Sequence, residues 1–598
     1  MKGATSRWTI LLLTVCLAGC SSAPPRPESV GKGDYAKVAE YVSGLVRHEM
    51  KKRDVMGLSI ALVDDQRVVW AEGYGYADKA GNVPASPETV YRAGSISKLF
   101  TATAAMQLAE RGKMEIDRPL GDYLPGFSIR TRFTDPAPVT PRSIMTHHSG
   151  LPSDYMKGMW ARNPEPFTRV ADRLKDEFAA NPPGTVFSYS NLGMTLLGDA
   201  IGKVAGRDFA SHVRVQILLP LGMSHSYFSP SRDRTPLAAK GYRKGSEMED
   251  PPLRDVPAGG LNTSVLDLSR FVRMVFAGGK AGDRQIVKPE TVAEMLRPQN
   301  ADVPLDLDVR VGLGWMLGGL GDTDIRNGGP VAHHAGATLL FHGQMIVLPE
   351  RKLGVVVLAN SDAARGVVGK VAAEALKLAL EAKTGERQPK REKPEGGDVS
   401  LSKEALQRYE GWYATSFGAV NVRKTSGGLR ADVMNRSLRL IPRADGSFVL
   451  QNRLLGLFPL RIGALDGVGF SRADVAGREI LAVRMHGGEF PIGERMRPVP
   501  VPAQWLGRTG EYEIANPGED VILPEKVRLR ADDGFLFVDY SSPILFPGTA
   551  SFAVAPVSDD EAVIRGVGRG MGETVRVVTV NGENMLSYSG YLLRKRDK

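Results

Sequence analysis

Ser95-Ile96-Ser97-Lys98 sets a hydroxyl and an amine three residues apart at the head of an apolar-periodic segment. Positions i and i+3 share one helix face, so the Lys98 amine can reach the Ser95 hydroxyl. A neutral, desolvated lysine can take a serine proton, which makes a nucleophile without a histidine base. A serine at a helix N-terminus also meets free backbone N–H groups and the positive end of the dipole. Its own N–H can therefore help to hold an oxyanion.

Two further triplets carry groups of the right kind. Tyr189-Ser190-Asn191 follows the turn-forming Asn181-Pro182-Pro183-Gly184 and precedes a helical segment. The Tyr189 phenol can act as a phenolate-like base or later protonate a leaving group. The Asn191 amide can donate to a substrate carbonyl and orient Lys98. His334-Ala335-Gly336 lies on an expected strand, where Gly336 permits close backbone approach. The N–H of Ala337 is the second candidate oxyanion donor, and His334 is expected in the cleft as a donor or weak cation. The candidate catalytic set is Ser95, Lys98 and Tyr189, and the substrate-binding set is Asn191, His334, Gly336 and Ala337. The pairs His147-His148 and His333-His334 raise the question of a metal. Neither has Asp, Glu or His at a helical i+4 spacing, so no metal is expected.

Certain elements must position these groups. Residues 35–55 read as an opening helix. Residues 57–63 and 67–76 read as a hairpin around Asp64-Asp65. Ser95 to Arg111 has apolar residues at near-helical spacing. Residues 112–200 read as helix and loop, and 286–297 and 364–382 as helices. Val311–Leu317, Gly336–Leu348 and Leu353–Ala359 read as strands. Terminal helices, a sheet and a helical insertion make one α/β domain over 35–382. The charged, Pro- and Gly-containing stretch 383–399 reads as a linker. Beyond it, short alternating runs and turn signals such as Asn581-Gly582 indicate all-β structure. Two β modules are expected, 400–497 and 498–598, with a single long sandwich as the alternative. Tyr409, Trp412 and Tyr413 are expected in a core.

The N-terminus reads as a leader. A basic start and an apolar run from Trp8 to Leu17, too short to span a bilayer, fit an export signal. Leu17-Ala18-Gly19-Cys20 resembles a bacterial lipobox, with residues 1–19 removed, Cys20 acylated and 20–34 a tether. The 598 residues contain only two cysteines, Cys16 and Cys20, so the expected mature body lacks thiol, disulfide and zinc-thiolate chemistry. The net charge of +10 comes from scattered basic residues without a nucleic-acid reader motif, so no nucleic-acid partner is expected.

The three triplets, in this order, resemble the serine β-lactamase and penicillin-binding-protein superfamily, nearest its class C β-lactamase-like branch. Tyr91 to Lys98, Thr140 to Pro152, Pro183 to Asn191, Ala258 to Ser264, Gly312 to Trp315 and His334 to Gly336 all resemble family segments, over about 40–380. The resemblance implies an antiparallel sheet flanked by helices plus a helical subdomain, here followed by C-terminal all-β modules. It implies an acyl-Ser95 intermediate, acid–base work shared by Lys98 and Tyr189, oxyanion donors at Ser95 and Ala337, and no cofactor. A typical class C β-lactamase has Lys-Thr-Gly where this chain has His334-Ala335-Gly336, which removes a cation and a hydroxyl. A peptide, ester or β-lactam substrate is expected, with peptidoglycan fragments plausible for a protein lipid-anchored at the periplasmic face of the outer membrane. A β-lactamase and a catalytically silent scaffold are the alternatives.

Overall fold

The computed structural model describes residues 22–231, 236–318, 325–389, 399 and 402–597, with 427, 434–435, 444–445, 455–457, 461–467, 486–487 and 545 excepted. The expected signal segment and Cys20 lie outside the described residues, as does most of the expected linker.

An eight-stranded antiparallel sheet organises the first part of the chain. Its spatial order is Arg310–Val311, Met316–Leu317, Ala332–Ala337, His342–Leu348, Leu353–Ala359, Gly57–Asp64, Arg67–Asp78 and Val83–Pro84. The central strands are predominantly apolar on both faces because both faces are covered. Leu58, Ile60, Leu62, Val355 and Val357 pack under the terminal helices Tyr35–Arg53 and Arg365–Thr384. Ala61, Val63, Val356, Leu358 and Met345 join the larger core on the other face, with Phe100, Leu197 and Phe271.

Three local expectations need correction. The run Gly336–Leu348 is not one strand. It is the end of Ala332–Ala337, a turn at 338–341 and the strand His342–Leu348. Thr338 closes that turn: its N–H donates to the Phe341 carbonyl (2.9 Å) and its hydroxyl accepts from the Phe341 N–H (3.3 Å). Leu340 and Phe341 are wholly buried in the turn, which is why the apolar run looks continuous in sequence. Val311–Leu317 is likewise two short strands. A Cβ at Gly312 would lie 2.1 Å from the Met295 carbonyl oxygen, and Gly314 has φ +82°. Residues 112–200, expected as helix and loop, are mainly loop as far as 190, with short 3₁₀ turns and the five-residue helix Pro141–Met145, before the helix Asn191–Ala205 begins.

The C-terminal region forms two separate β structures rather than one sandwich. Nine strands from Gly411–Thr415 to Gly488–Met496 form one sheet, which curls until Arg436–Pro442 also pairs with Phe448–Leu454. Eight strands from Gly510–Ile514 to Tyr591–Lys595 close into a barrel. Asn581 and Gly582, both with positive φ, form the turn between Thr574–Val580 and Glu583–Tyr588. Tyr413 is fully buried and Tyr409 packs on Phe448, while Trp412 packs on Phe537 between the two β structures.

The barrel sits on the loops that precede Asn191. Lys157 pairs with Asp520 (2.9 Å) and Arg132 with Glu561 (2.8 Å), and the Met156 N–H donates to Ser589 (2.8 Å). Gly572 and Gly590 allow this contact, since a Cβ there would meet the Ala180 carbonyl at 2.1 Å and the Tyr155 hydroxyl at 2.5 Å.

Candidate functional site

Ser95 lies in a 3₁₀ turn, Gly94–Ile96, that feeds the helix Ser97–Glu110. Gly94 has φ +52°, and its missing Cβ would lie 2.5 Å from the Ala337 nitrogen. Gly336 is the reciprocal contact: a Cβ there would lie 1.9 Å from the Ala93 carbonyl oxygen. The two glycines bring the end of the strand Ala332–Ala337 against the nucleophile turn. That brings the backbone of Ala337 beside Ser95, where two N–H groups can face one oxyanion.

Lys98 is fully buried on a helix whose residues 97–108 are all buried. Its Nζ is 3.0 Å from Ser95 Oγ, 2.7 Å from Asn191 Oδ1 and 2.8 Å from the Ala258 carbonyl oxygen. Burial, assisted by the positive charge of Arg569, holds its pKa well below the usual lysine value. A neutral amine has two N–H groups and one lone pair. Asn191 Oδ1 and the Ala258 carbonyl can only accept, so they take both N–H groups. The lone pair then faces Ser95, whose hydroxyl donates to it.

Tyr189 is held against the same pair. Its ring lies 4.9 Å from the Lys98 ammonium position and 4.1 Å from the His147 ring. Burial pushes its pKa up to about 12, although a hydrogen bond with Ser95 and the charge of Arg569 oppose this. At neutral pH the phenol is therefore a proton donor and not the phenolate considered from sequence. Ser190 rather than Asn191 caps the following helix, accepting from the Gly193 N–H at 2.9 Å. That leaves the Asn191 side chain for the site. Its Nδ2 donates to Asp154 Oδ1 (2.7 Å), which fixes the amide so that its oxygen faces Lys98.

His334 departs from the expected donor or weak cation. Its Nδ1 lies 2.7 Å from the Ala335 carbonyl oxygen and must donate to it, which leaves Nε2 as an acceptor. Nε2 is buried without a hydrogen-bond partner among the described residues, and burial lowers the ring pKa to about 3. His334 thus offers a neutral lone pair, with its ring 6.3 Å from that of Tyr189. His333 turns away, with Nε2 donating to the Gly318 carbonyl (2.8 Å).

Three residues of the site escaped the sequence reading. His147, at φ +60°, stacks on Tyr189 and accepts from the Ser190 N–H (3.2 Å), which holds the phenol in place. Asp154 and Arg569 form the other omission. Arg569 comes from the barrel, on a loop whose base is closed by Ile564 N–H to Glu573 O and Gly572 N–H to Ile564 O, each 2.8 Å. The loop docks through Gly570 N–H to Ser153 Oγ (2.7 Å) and Ser188 Oγ to Gly568 O (3.2 Å). Arg569 Nη2 then donates to Asp154 Oδ2 (2.9 Å) with 51% of its side chain exposed. Its guanidinium carbon lies 5.4 Å from the Tyr189 ring centre. A chain of polar contacts thus runs Arg569–Asp154–Asn191–Lys98–Ser95 from the barrel to the nucleophile. The available signal was the alternating Gly566, Gly568, Gly570 and Gly572 around Arg569, which marks a backbone built for close approach.

A Beta-lactamase family profile matches residues 42–379 of the chain. Protein flp of Staphylococcus aureus (strain N315) is 25% identical over 333 residues, which cover 54% of this chain and 63% of that protein. The chain therefore spans less than two thirds of the length of this curated relative. The solved structure of SurE has a TM-score of 0.54 and 22% identity, covering 77% of this chain and 100% of its own, a likeness of fold. A structure of SurE with D-Leu gives a TM-score of 0.52 at the same identity and coverage.

Proposed function

Because the chain belongs to the beta-lactamase family of serine hydrolases, we propose that it is an envelope hydrolase cleaving a peptide, amide or ester bond through an acyl-Ser95 intermediate. D-amino-acid-containing muropeptides are the proposed substrate class, a reading to which the SurE complex with D-Leu lends support. One observation carries the mechanism: the buried Lys98 amine, its pKa held well below the usual lysine value, lies 3.0 Å from Ser95 Oγ while Asn191 Oδ1 and the Ala258 carbonyl take its other contacts.

Ser95 Oγ attacks the substrate carbonyl carbon as its proton passes to Lys98. The carbonyl oxygen becomes an oxyanion held by the N–H groups of Ser95 and Ala337. Collapse of the intermediate breaks the bond to the leaving group, which takes a proton from the Tyr189 phenol. The proton that Lys98 took from Ser95 then passes to the Tyr189 oxygen beside it, which restores both groups. Water then attacks the acyl-Ser95 carbonyl by the same steps in reverse order, releasing the acid and Ser95. The neutral His334 lacks the cation that a typical class C β-lactamase has in that place, which favours a peptidase or esterase. Export and acylation at Cys20 would place this chemistry on the periplasmic face of the outer membrane.

The test is the intact mass of the Cys20→Ser chain after exposure to a fluorescent penicillin, beside the same chain carrying Ser95→Ala. An adduct on the first alone is expected. Rapid drug loss without an adduct would instead make the protein a β-lactamase. An untouched drug together with Ser95-independent or absent ester turnover would return the protein to the scaffold reading.

Arg569 is the half-exposed cation beside Tyr189 and is proposed to receive a substrate carboxylate. Arg569→Ala is expected to raise KM about tenfold or more for carboxylate-bearing substrates, since charge-assisted hydrogen bonds contribute about 1.5–3 kcal/mol. KM for an uncharged ester stays unchanged. The same variant removes a charge that lowers the Lys98 pKa and unmasks Asp154, which raises it. Both effects move the rising limb of the pH–rate curve to higher pH. An unmoved limb would detach Arg569 from the Lys98 network.

A further inference from the structure

The barrel is not filled. It encloses a cavity of about 340 Å³ walled by Val527, Leu529, Val538, Phe552, Val554 and Leu586, among others. Eight-stranded barrels are either packed solid or wide enough for one small ligand, and ligand pockets run from roughly 300 to 1,000 Å³. Several polar groups on this wall are already engaged. The Tyr512 hydroxyl donates to the Arg508 carbonyl (2.6 Å), Tyr588 to Glu573 (2.7 Å) and Tyr591 to Asp520 (3.0 Å). Such a wall offers little to ordered water and suits an apolar occupant.

Its charged groups are unevenly exposed. Asp154 keeps 12% of its side chain open and Glu573 is 5% exposed, both behind hydrogen bonds. Arg569, also on the wall, keeps 51% open, whereas Arg528 alternates with the inward Val527 and Leu529 and faces outward beside Glu511 at 4.0 Å. The accessible charge at this wall is therefore the Arg569 cation, and the apolar surface beside it is largely aliphatic.

We propose that the barrel interior is a second binding site, for an aliphatic chain that ends in a carboxylate or acyl carbonyl. The site shares the Arg569–Asp154 pair with the catalytic network. Occupancy of the barrel therefore alters the group that fixes Asn191 and, through it, Lys98. Binding in the barrel is independent of the hydrolase reading, while this coupling rests on it. The chain has two sources with one chemistry: a free fatty acid acting as an effector, or the acyl tail of a substrate.

The experiment is calorimetric titration of the Cys20→Ser chain with dodecanoate below its micelle concentration. One-to-one binding with a negative heat-capacity change is expected. Val538→Trp and Val554→Trp, on separate strands, fill the lumen and are each expected to weaken binding at least tenfold. Retained penicillin labelling of Ser95 and an unchanged circular dichroism spectrum show that these variants fold. Absence of binding to the parent chain, or unchanged binding in both folded variants, overturns the site. Turnover then separates the sources. A shift in the pH limb for a short-chain ester on adding dodecanoate identifies an effector. Competition against a long-acyl ester alone identifies a substrate tail. Binding with neither effect overturns the coupling and leaves the binding site standing.

Discussion

Lys98→Met is expected to lower the rate of Ser95 acylation by about 10³-fold, within the usual 10²–10⁴ range for a positioned general base. That corresponds to about 4 kcal/mol of transition-state stabilisation. Methionine fills much of the lysine volume, so the buried helix 97–110 keeps its packing. The Ala258 carbonyl and Asn191 Oδ1 each lose a donor, at about 1–3 kcal/mol per unsatisfied buried group. Folding should be followed by thermal unfolding beside the acylation rate. In the parent chain, only neutral Lys98 can accept the proton. Activity is therefore low below its depressed pKa and rises as pH climbs through it. Tyr189 keeps its proton until about 12 and His334 is neutral above about 3. The profile of kcat/KM should rise in one step, without a histidine limb between pH 6 and 7. Lys98→Met should abolish that step. A step that survives in the variant would assign the base to another group.

Gly336→Ala is expected to lower kcat by about 10²–10³-fold, the scale for loss of one oxyanion donor. The added Cβ falls 1.9 Å from the Ala93 carbonyl oxygen, so backbone on one side must move. Either movement separates the Ala337 N–H from the Ser95 turn. Overpacking should also cost about 1–3 kcal/mol of stability. Steady-state kinetics on an ester substrate decide the point. A fall in kcat with KM nearly constant is the signature of an interaction made in the transition state. A raised KM with unchanged kcat would show that Ala337 only binds substrate.

The elements most legible in sequence are those whose signal is local. Leu353–Ala359 is an unbroken apolar run and Gly57–Asp64 is broken only by Ser59 before its last residue, and the i+3 spacing of Ser95 and Lys98 puts their groups within reach on one helix face. The run Gly336–Leu348 was less legible because burial, which draws in Leu340 and Phe341, does not distinguish a strand from a tight turn. The acceptor face of His334 was not legible, since its tautomer depends on the backbone carbonyl of its own neighbour.

By itself the sequence determined the i+3 spacing of Ser95 and Lys98, the order of the three triplets and the change from α/β to all-β character in the C-terminal third. These follow from residue type, periodicity and turn chemistry, which act over a few positions. Only the tertiary structure decided the charge state of Lys98, because desolvation depends on everything packed around the helix. It alone brought Arg569 to Asp154 across 415 positions of chain. No local pattern carries that distance: the barrel must close, and its glycine loop must dock on Ser153 and Ser188, before the guanidinium reaches the cleft.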